Sequence, residues 1–363
     1  MNARKLAHSN GLRKLARTSG NTGRARVLTY NARRMVQPNQ IICGDSVQVL
    51  NQLEEGWVDL CFADPPFNIG YLYHNYDDKK DVDQYCAWSE TWMRAVHRAL
   101  KPTGSFYLAI GDEFAADLCV IARRELGFTL RNWIVWHYTF GQQMKRKFAK
   151  SHTHILYFTK SADPNVFTFN RDAVKVASAR QTTYNDKRAS KGGKVPDDTW
   201  YLRPQEAPEP LFAPDGDTWN VSRVCGTFKE REGWHGCQMP MAVLDRIIRA
   251  SSNRGDVVLD PFNGSGTTAV SAALLGRNYV GIDQSADYVG YAQKRLDHAL
   301  EHVKRNGSSN GDGPVLPIDS QAVSDPNRAS RLMTATDALG RPRVPRQRKG
   351  RPMKDSRRFM EAG

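Results

Sequence analysis

From residue 256 to 283 the chain reads DVVLDPFNGSGTTAVSAALLGRNYVGID: an apolar run, a glycine turn, a helix-spaced stretch and a second apolar run closing on an acid. Few architectures accept this order. A strand, a tight turn, a helix and a second strand make a βαβ unit, whose crossover is right-handed and whose place is an open α/β sheet. Gly264 and Gly266 let the backbone turn straight into the helix and come close to a ligand. Asp283 ends the second run, where a nucleotide-binding βαβ unit sets the acid that accepts hydrogen bonds from ribose hydroxyls. The turn holds neither Lys nor Arg, so it is not built for phosphate. Beside Asp260 it suits a nucleoside with its own positive charge, and S-adenosylmethionine, with an ammonium, a sulfonium and a ribose, meets each condition.

The rest of the chain repeats the alternation. IIC before GDS predicts a short strand, VQVLNQL a helix, and VDLCFA a buried strand. VDQYCAWSETWMRAVHRAL spaces its apolar residues as an amphipathic helix stopped by KPTG. SFYLAI, TLRNWIVWHY and THILYFTK read as strands, with the helix EFAADLCVIARREL among them. The expected fold is α/β: a doubly wound, Rossmann-like sheet with parallel strands. Residues 161–234, rich in Pro, Asp, Lys and Arg with scattered tryptophans, break the rhythm and read as an irregular insertion. The expected division is a basic disordered tail over 1–36, one half of the main domain over 37–160, the insertion over 161–234, the second half over 235–305, and a second tail over 306–363.

Charge is placed unevenly. Residues 1–36 carry nine Lys/Arg and no acid, and residues 341–358 carry nine with the single acid Asp355, more than the whole net charge of +14. Cationic ends on a nearly neutral body suit a polyanion such as nucleic acid. The six cysteines form no CxxC pair, which points to free thiols in a reducing cytoplasm and away from zinc; no metal is expected. No apolar run approaches the ~20 residues of a membrane helix, so no membrane partner is expected.

The second unusual segment is CFADPPFNIGY, residues 61–71, where a buried strand stops on an acid, two prolines, an aromatic and an amide. DPPF, followed far downstream by DPFNGSGTT, resembles the permuted (β-class) S-adenosylmethionine-dependent DNA amino-methyltransferases. There the catalytic motif precedes the target-recognition region, and the cofactor motif comes last. The resemblance spans most of residues 40–303. It implies that Asp260, Phe262, Gly264 and Gly266 hold the methionine part of the cofactor, Asp283 the ribose and Asp45 the adenine amino group. It implies a catalytic turn of Asp64, Pro65, Pro66 and Phe67 acting on a base flipped from double-stranded DNA. Asp64 and the Pro65 carbonyl would accept the two N–H groups of the target amine, and Phe67 would stack on the base. Asn68 either orients the turn or meets the base edge. Lys145, Arg146, Lys147 and Lys150, in TFGQQMKRKFAKSH, are candidates for DNA phosphate, and residues 161–234 for target recognition. In the enzymes it resembles, an acid at the first position of the motif goes mostly with N6 of adenine, which the resemblance therefore implies over N4 of cytosine, although a carboxylate would serve either base. RNA methylation or a catalytically silent DNA-binding module would fit the motif order and the intact acid less well. The resemblance leaves room for a homodimer and a cognate restriction endonuclease. The His-Pro-Thr-Gln-Lys-Pro of relatives reads His235-Gly236-Cys237-Gln238-Met239-Pro240 here, without the lysine.

Overall fold

The structure is a computed structural model that describes residues 36–70, 78–142, 145–146, 148–176, 178–182, 184–190, 192–200 and 238–306. The expected tails fall almost wholly outside these residues, as do Lys147, Lys191, His235 and the second half of the expected insertion.

The apolar runs form an eight-stranded sheet. In chain order the strands are β1 (Gln40–Cys43), β2 (Val58–Ala63), β3 (Leu100–Ile110), β4 (Thr129–Gln142), β5 (Lys150–Thr159), β6 (Thr199–Trp200), β7 (Val257–Asp260) and β8 (Asn278–Asp283), and across the sheet they run β1-β8-β7-β2-β3-β5-β4-β6. The helices are α1 (Ser46–Leu50), α2 (Val82–Ala99), α3 (Asp112–Arg124), α4 (Ala179–Thr182), α5 (Met241–Ser251), α6 (Thr267–Leu274) and α7 (Ala286–Asn306). All six residues of β2 are buried, because its two faces meet different cores. Cys61 and Ala63 pack with Trp92, Met93 and Leu118 of α2 and α3. Leu60 and Phe62 pack with Leu244, Ile247, Val270 and Leu296 of α5, α6 and α7. A central strand covered on both sides has to be continuously apolar, as VDLCFA is.

Two expectations are corrected. The sheet is mixed: β5 runs antiparallel to both β3 and β4. Only residues 143–149 join β4 to β5, too few for a crossover helix, so the chain can only turn back on itself. KPTG is not a turn after α2 but part of β3, which starts at Leu100 directly after Ala99. Val58 faces Leu100 while Leu60 faces Ser105, so the surplus residues bulge from β3.

The bulge brings Lys101 to Asp59, whose Oδ1 accepts from Lys101 Nζ at 2.7 Å and whose Oδ2 accepts from the Val257 backbone N–H at 2.9 Å. Asp59 therefore joins β2, β3 and the start of β7. From β7 the chain winds outward to β8, and from β2 it winds the other way to β3. The β7–β2 boundary is thus the point where the winding reverses, beyond whose carboxyl ends open α/β sheets bind ligands. In the described part of residues 161–200 the elements are short, and Asn170 straps the segment to the end of α5 by donating to the Arg249 and Ser252 carbonyls. Among the described residues no helix is long and apolar enough to cross a membrane.

Asp59→Ala removes the acceptor from a buried backbone N–H and the partner from Lys101. The expected loss is about 2 kcal/mol of folding stability, measured by urea denaturation. Asp59→Asn, which keeps an acceptor, should recover part of it.

Candidate active site at the β2–β7 junction

Leu60 pairs with Val258 and Cys61 with Leu259, so β2 and β7 end side by side, one continuing into Asp64 and the other closing on Asp260. Each acid opens a turn beginning Asp-Pro, and the two turns are neighbours in space although nearly two hundred residues apart in sequence.

The first turn is held from three directions. Pro65 is buried and Asp64, Pro66 and Phe67 are half-buried. Tyr85, fully buried in α2, donates its hydroxyl to the Pro66 carbonyl at 2.6 Å. Phe67 lies against Gly111 at the end of β3, where a Cβ would come within 3.2 Å of its ring. Asn68 takes the left-handed conformation (φ 59°). Its side chain accepts from the Lys80 N–H and donates to the Lys80 carbonyl, both at 2.8 Å. The Asn68 and Ile69 N–H groups donate to the two oxygens of buried Asp78, at 2.8 and 3.1 Å. Of the two readings given to Asn68, the structure shows its amide engaged in fixing the turn.

The second turn is built around the buried carboxylate of Asp260 and the half-buried one of Asp283. Asp260, 4% exposed, accepts from the Phe262 N–H at 3.0 Å and from Thr268 Oγ1 at 2.6 Å. Burial raises its pKa to about 7 against the pull of those two bonds, and nearby Asp283 adds to the rise. Burial raises Asp283 as well, although it accepts from the Gly264 N–H at 2.9 Å and the Ser285 N–H at 2.8 Å. A buried acid and a half-buried one near each other are poised to receive a cation. Gly266 has φ 75°, and a Cβ there would lie 2.8 Å from Ala292 in α7, so neither its backbone conformation nor its packing admits a larger residue. Asp45 N-caps α1 through the Gln48 N–H at 2.9 Å and accepts from Gln284 Nε2 at 3.0 Å, which ties it to the residue after Asp283. Asp45, Asp283 and Asp260 thus stand at the carboxyl ends of β1, β8 and β7. Phe262 packs its ring against Trp88 and Trp92, with centroids 5.7 and 5.1 Å away, so α2 of the first half closes on the glycine turn of the second.

Beside Phe67 lies a charged cluster. Lys150 pairs with Glu113 and, at 3.6 Å, with Asp112. His152 and His154 bring their Nε2 atoms to Asp112 Oδ1 at 3.1 and 3.2 Å. Asp112, His152 and His154 have the composition of a metal site, but Trp133 Nε1–H donates to His154 Nδ1 at 2.8 Å. Nε2 of neutral His154 must then carry the proton and donate to Asp112, so it has no lone pair for a metal. Burial lowers the His154 pKa, neighbouring His152 lowers it further, and Asp112 partly offsets both. Lys145 and Arg146 are exposed.

Sequence reasoning missed Tyr85, Asp78, Thr268 and the tryptophans that meet Phe262. Tyr85, Trp88 and Trp92 share the apolar stripe of α2, a spacing that marked them as core but not as supports of the two turns. Asp78 lies in a polar stretch that gave no signal.

Residues 58–294 match the family described as DNA methylase (N6_N4_Mtase). The chain is similar to the type II methyltransferase M.HpaI of Haemophilus parainfluenzae, 34% identical over 258 residues, covering 71% of this chain and 74% of that protein. It is also similar to the DNA adenine methyltransferase YhdJ of Escherichia coli, 35% identical over 263 residues, covering 72% and 84%. The solved structure of PvuII DNA methyltransferase, cytosine-N4-specific, has the same fold, with a TM-score of 0.50 at 16% identity, covering 76% of this chain and 95% of that one. Adjacent Asp-Pro turns at the reversal of a methyltransferase sheet, and a family match over most of that sheet, lead to one conclusion: the chain belongs to the DNA methylase family.

Proposed function

We propose that the protein is a site-specific DNA methyltransferase that moves the methyl group of S-adenosylmethionine to N6 of an adenine flipped out of duplex DNA. The observation that carries this reading is the adjacency of the Asp64 and Asp260 turns at the carboxyl ends of β2 and β7. YhdJ, named an adenine methyltransferase, supports the choice of base.

The donor set fits the cofactor. Asp260 and Asp283 keep lone pairs beyond their backbone bonds, and their raised pKa values are what acids awaiting a cation would show. Asp260, Phe262, Gly264 and Gly266 would hold the methionine end, Asp283 the ribose and Asp45 the adenine. When bound, S-adenosylmethionine supplies an electrophilic methyl group on a sulfonium.

The first turn has the harder task, because the amino nitrogen of adenine shares its lone pair with the ring. Asp64 and the Pro65 carbonyl, accepting its two N–H groups, would draw the nitrogen toward tetrahedral geometry and free the lone pair. Proline has no N–H and a fixed φ, so the carbonyl keeps one direction. Tyr85 engages the neighbouring Pro66 carbonyl and stiffens the pair. Asp64 stabilises the positive charge that develops on nitrogen and is placed to receive the proton that leaves. Phe67 offers a stacking face, worth about 1–3 kcal/mol in comparable contacts. Lys145 and Arg146 would meet phosphate. Lys150 would serve chiefly to hold the root of their loop through Glu113 and Asp112. Residues 161–234 are the proposed recognition region. The type II names among the relatives support a cognate restriction endonuclease as partner, and the substrate places the protein in the cytoplasm.

Asp64→Ala should lower labelled methyl transfer to duplex DNA by roughly 100- to 1,000-fold, with cofactor affinity by calorimetry retained. Unchanged transfer would remove Asp64 from catalysis. Direct sequencing of modified bases in DNA from expressing cells should find N6-methyladenine in one motif; N4-methylcytosine would replace adenine as the target.

Asp260 gives a pH test. Its folded pKa of about 7 lies above the unfolded 3.8, so its contribution to stability is present below about pH 4 and is lost as pH rises through 7. The ligand-free protein should melt lower at pH 8 than at pH 5.5, and Asp260→Asn should narrow that gap in a thermal melt. Cofactor affinity should strengthen from pH 6 to 8 in the wild type and not in the variant.

A further inference from the structure

Phe148 is 97% exposed, the barest large apolar side chain among the described residues. An aromatic left in water forgoes the burial that makes such residues useful in a core, which a partner outside the folded chain would supply.

Its place in the fold suggests which partner. Gln142 pairs with Lys150, and Ile110 of β3 pairs with His154, so the paired ends of β4 and β5 run past the carboxyl end of β3. That is the end at which Asp64–Asn68 leave β2, since Ala63 lies beside Leu108 of β3. The root of the connection is fixed: Lys150 pairs with Glu113 and Asp112, and His152 with Asp112. Glu113 and Phe67 both border Gly111, so this anchor adjoins the proposed base-stacking residue. The exposed cations Lys145 and Arg146 share the connection with Phe148, and Ile69, 60% exposed, stands on the Asp64 turn itself.

An anchored root, two cations and a bare aromatic beside a base-binding turn suit a duplex that is losing a base. Extruding a nucleotide leaves its stacked neighbours facing a gap. An aromatic ring entering that gap restores part of the stacking and opposes return of the base, while the cations hold the flanking phosphates. We propose that Phe148 is a wedge that enters the DNA stack at the target step and holds the flipped state. This rests on the DNA methyltransferase reading above, and it makes Phe148 a positioning residue rather than a catalytic one.

The test uses the full chain and duplexes carrying its methylation motif, read from DNA of expressing cells. In one duplex the target base is normally paired; in the other it faces an abasic site and is extruded at little cost. Phe148→Ala should lower kcat/KM on the paired duplex by about tenfold and leave the abasic duplex nearly unchanged. Phe148→Trp should restore the paired rate. 2-Aminopurine at the target position should show a weaker fluorescence rise with Phe148→Ala than with wild type. Equal loss on both duplexes, or no loss on the paired one, overturns the wedge while leaving the methyltransferase reading intact. A wild-type chain that methylates neither duplex overturns both. Because the side chain is exposed, a thermal melt of the variant should match wild type.

Discussion

The contact between β2 and β7 is the constraint on which the rest of this structure depends. Few residues make the pairing, yet it joins two halves of the sheet separated in sequence by everything from α2 to α5. Asp59 fastens it at the amino end, accepting from Lys101 and from the Val257 N–H. At the carboxyl end each strand runs into Asp-Pro, and the two acids emerge next to each other. A slip of one residue between these strands would exchange the faces of β2 and misplace the Asp64 turn relative to the glycine turn. The aromatic contact of Phe262 with Trp88 and Trp92 repeats the clamp, one ring from the second half against two from the first.

This arrangement explains why the order of motifs along the chain matters little to the chemistry. The glycine unit comes late in sequence, but β7 lies at the centre of the sheet, with β8 and β1 outward on one side and β2 and β3 on the other. The first strand in the chain, β1, ends up third counting outward from the glycine turn. Asp45 consequently arrives beside Gln284 although almost the whole domain separates them in sequence. What the site requires is that carboxyl ends of particular strands be neighbours, and several connectivities satisfy that.

The parts of the fold legible in the sequence are those whose signal is local. VDLCFA, the glycine turn and the closing acid carry their conformations within a few residues, and each lies in the structure as its pattern predicted. The failures are non-local. The reversal of β5 depends on what seven residues can span, a fact visible in the loop length but outweighed by the rhythm of alternation. KPTG has the composition of a turn, but pairing with β2 and the pull of Asp59 on Lys101 draw it into β3. Tyr85, Asp78 and Thr268 reach the two turns from 8 to 19 residues away, and no local pattern says that their side chains fold back to them. Residues of the two turns themselves were therefore easier to single out than those that hold the turns in place.

Asp260 and Asp283 carry a cost in stability that packing alone does not explain. A protein selected only for folding would not keep Asp260 nearly sealed from water with Asp283 close by, because burial penalises both charges. The bonds from Thr268, Phe262, Gly264 and Ser285 recover part of that penalty, but each donor is neutral and none cancels the negative charge. The remainder is a standing preference for a cation. On the proposed reading, a ligand carrying an ammonium and a sulfonium would relieve it, whereas the same nucleoside after losing its methyl group would have only the ammonium to offer. If Asp260 and Asp283 line the cofactor site as proposed, their electrostatics would favour the charged donor over the thioether product.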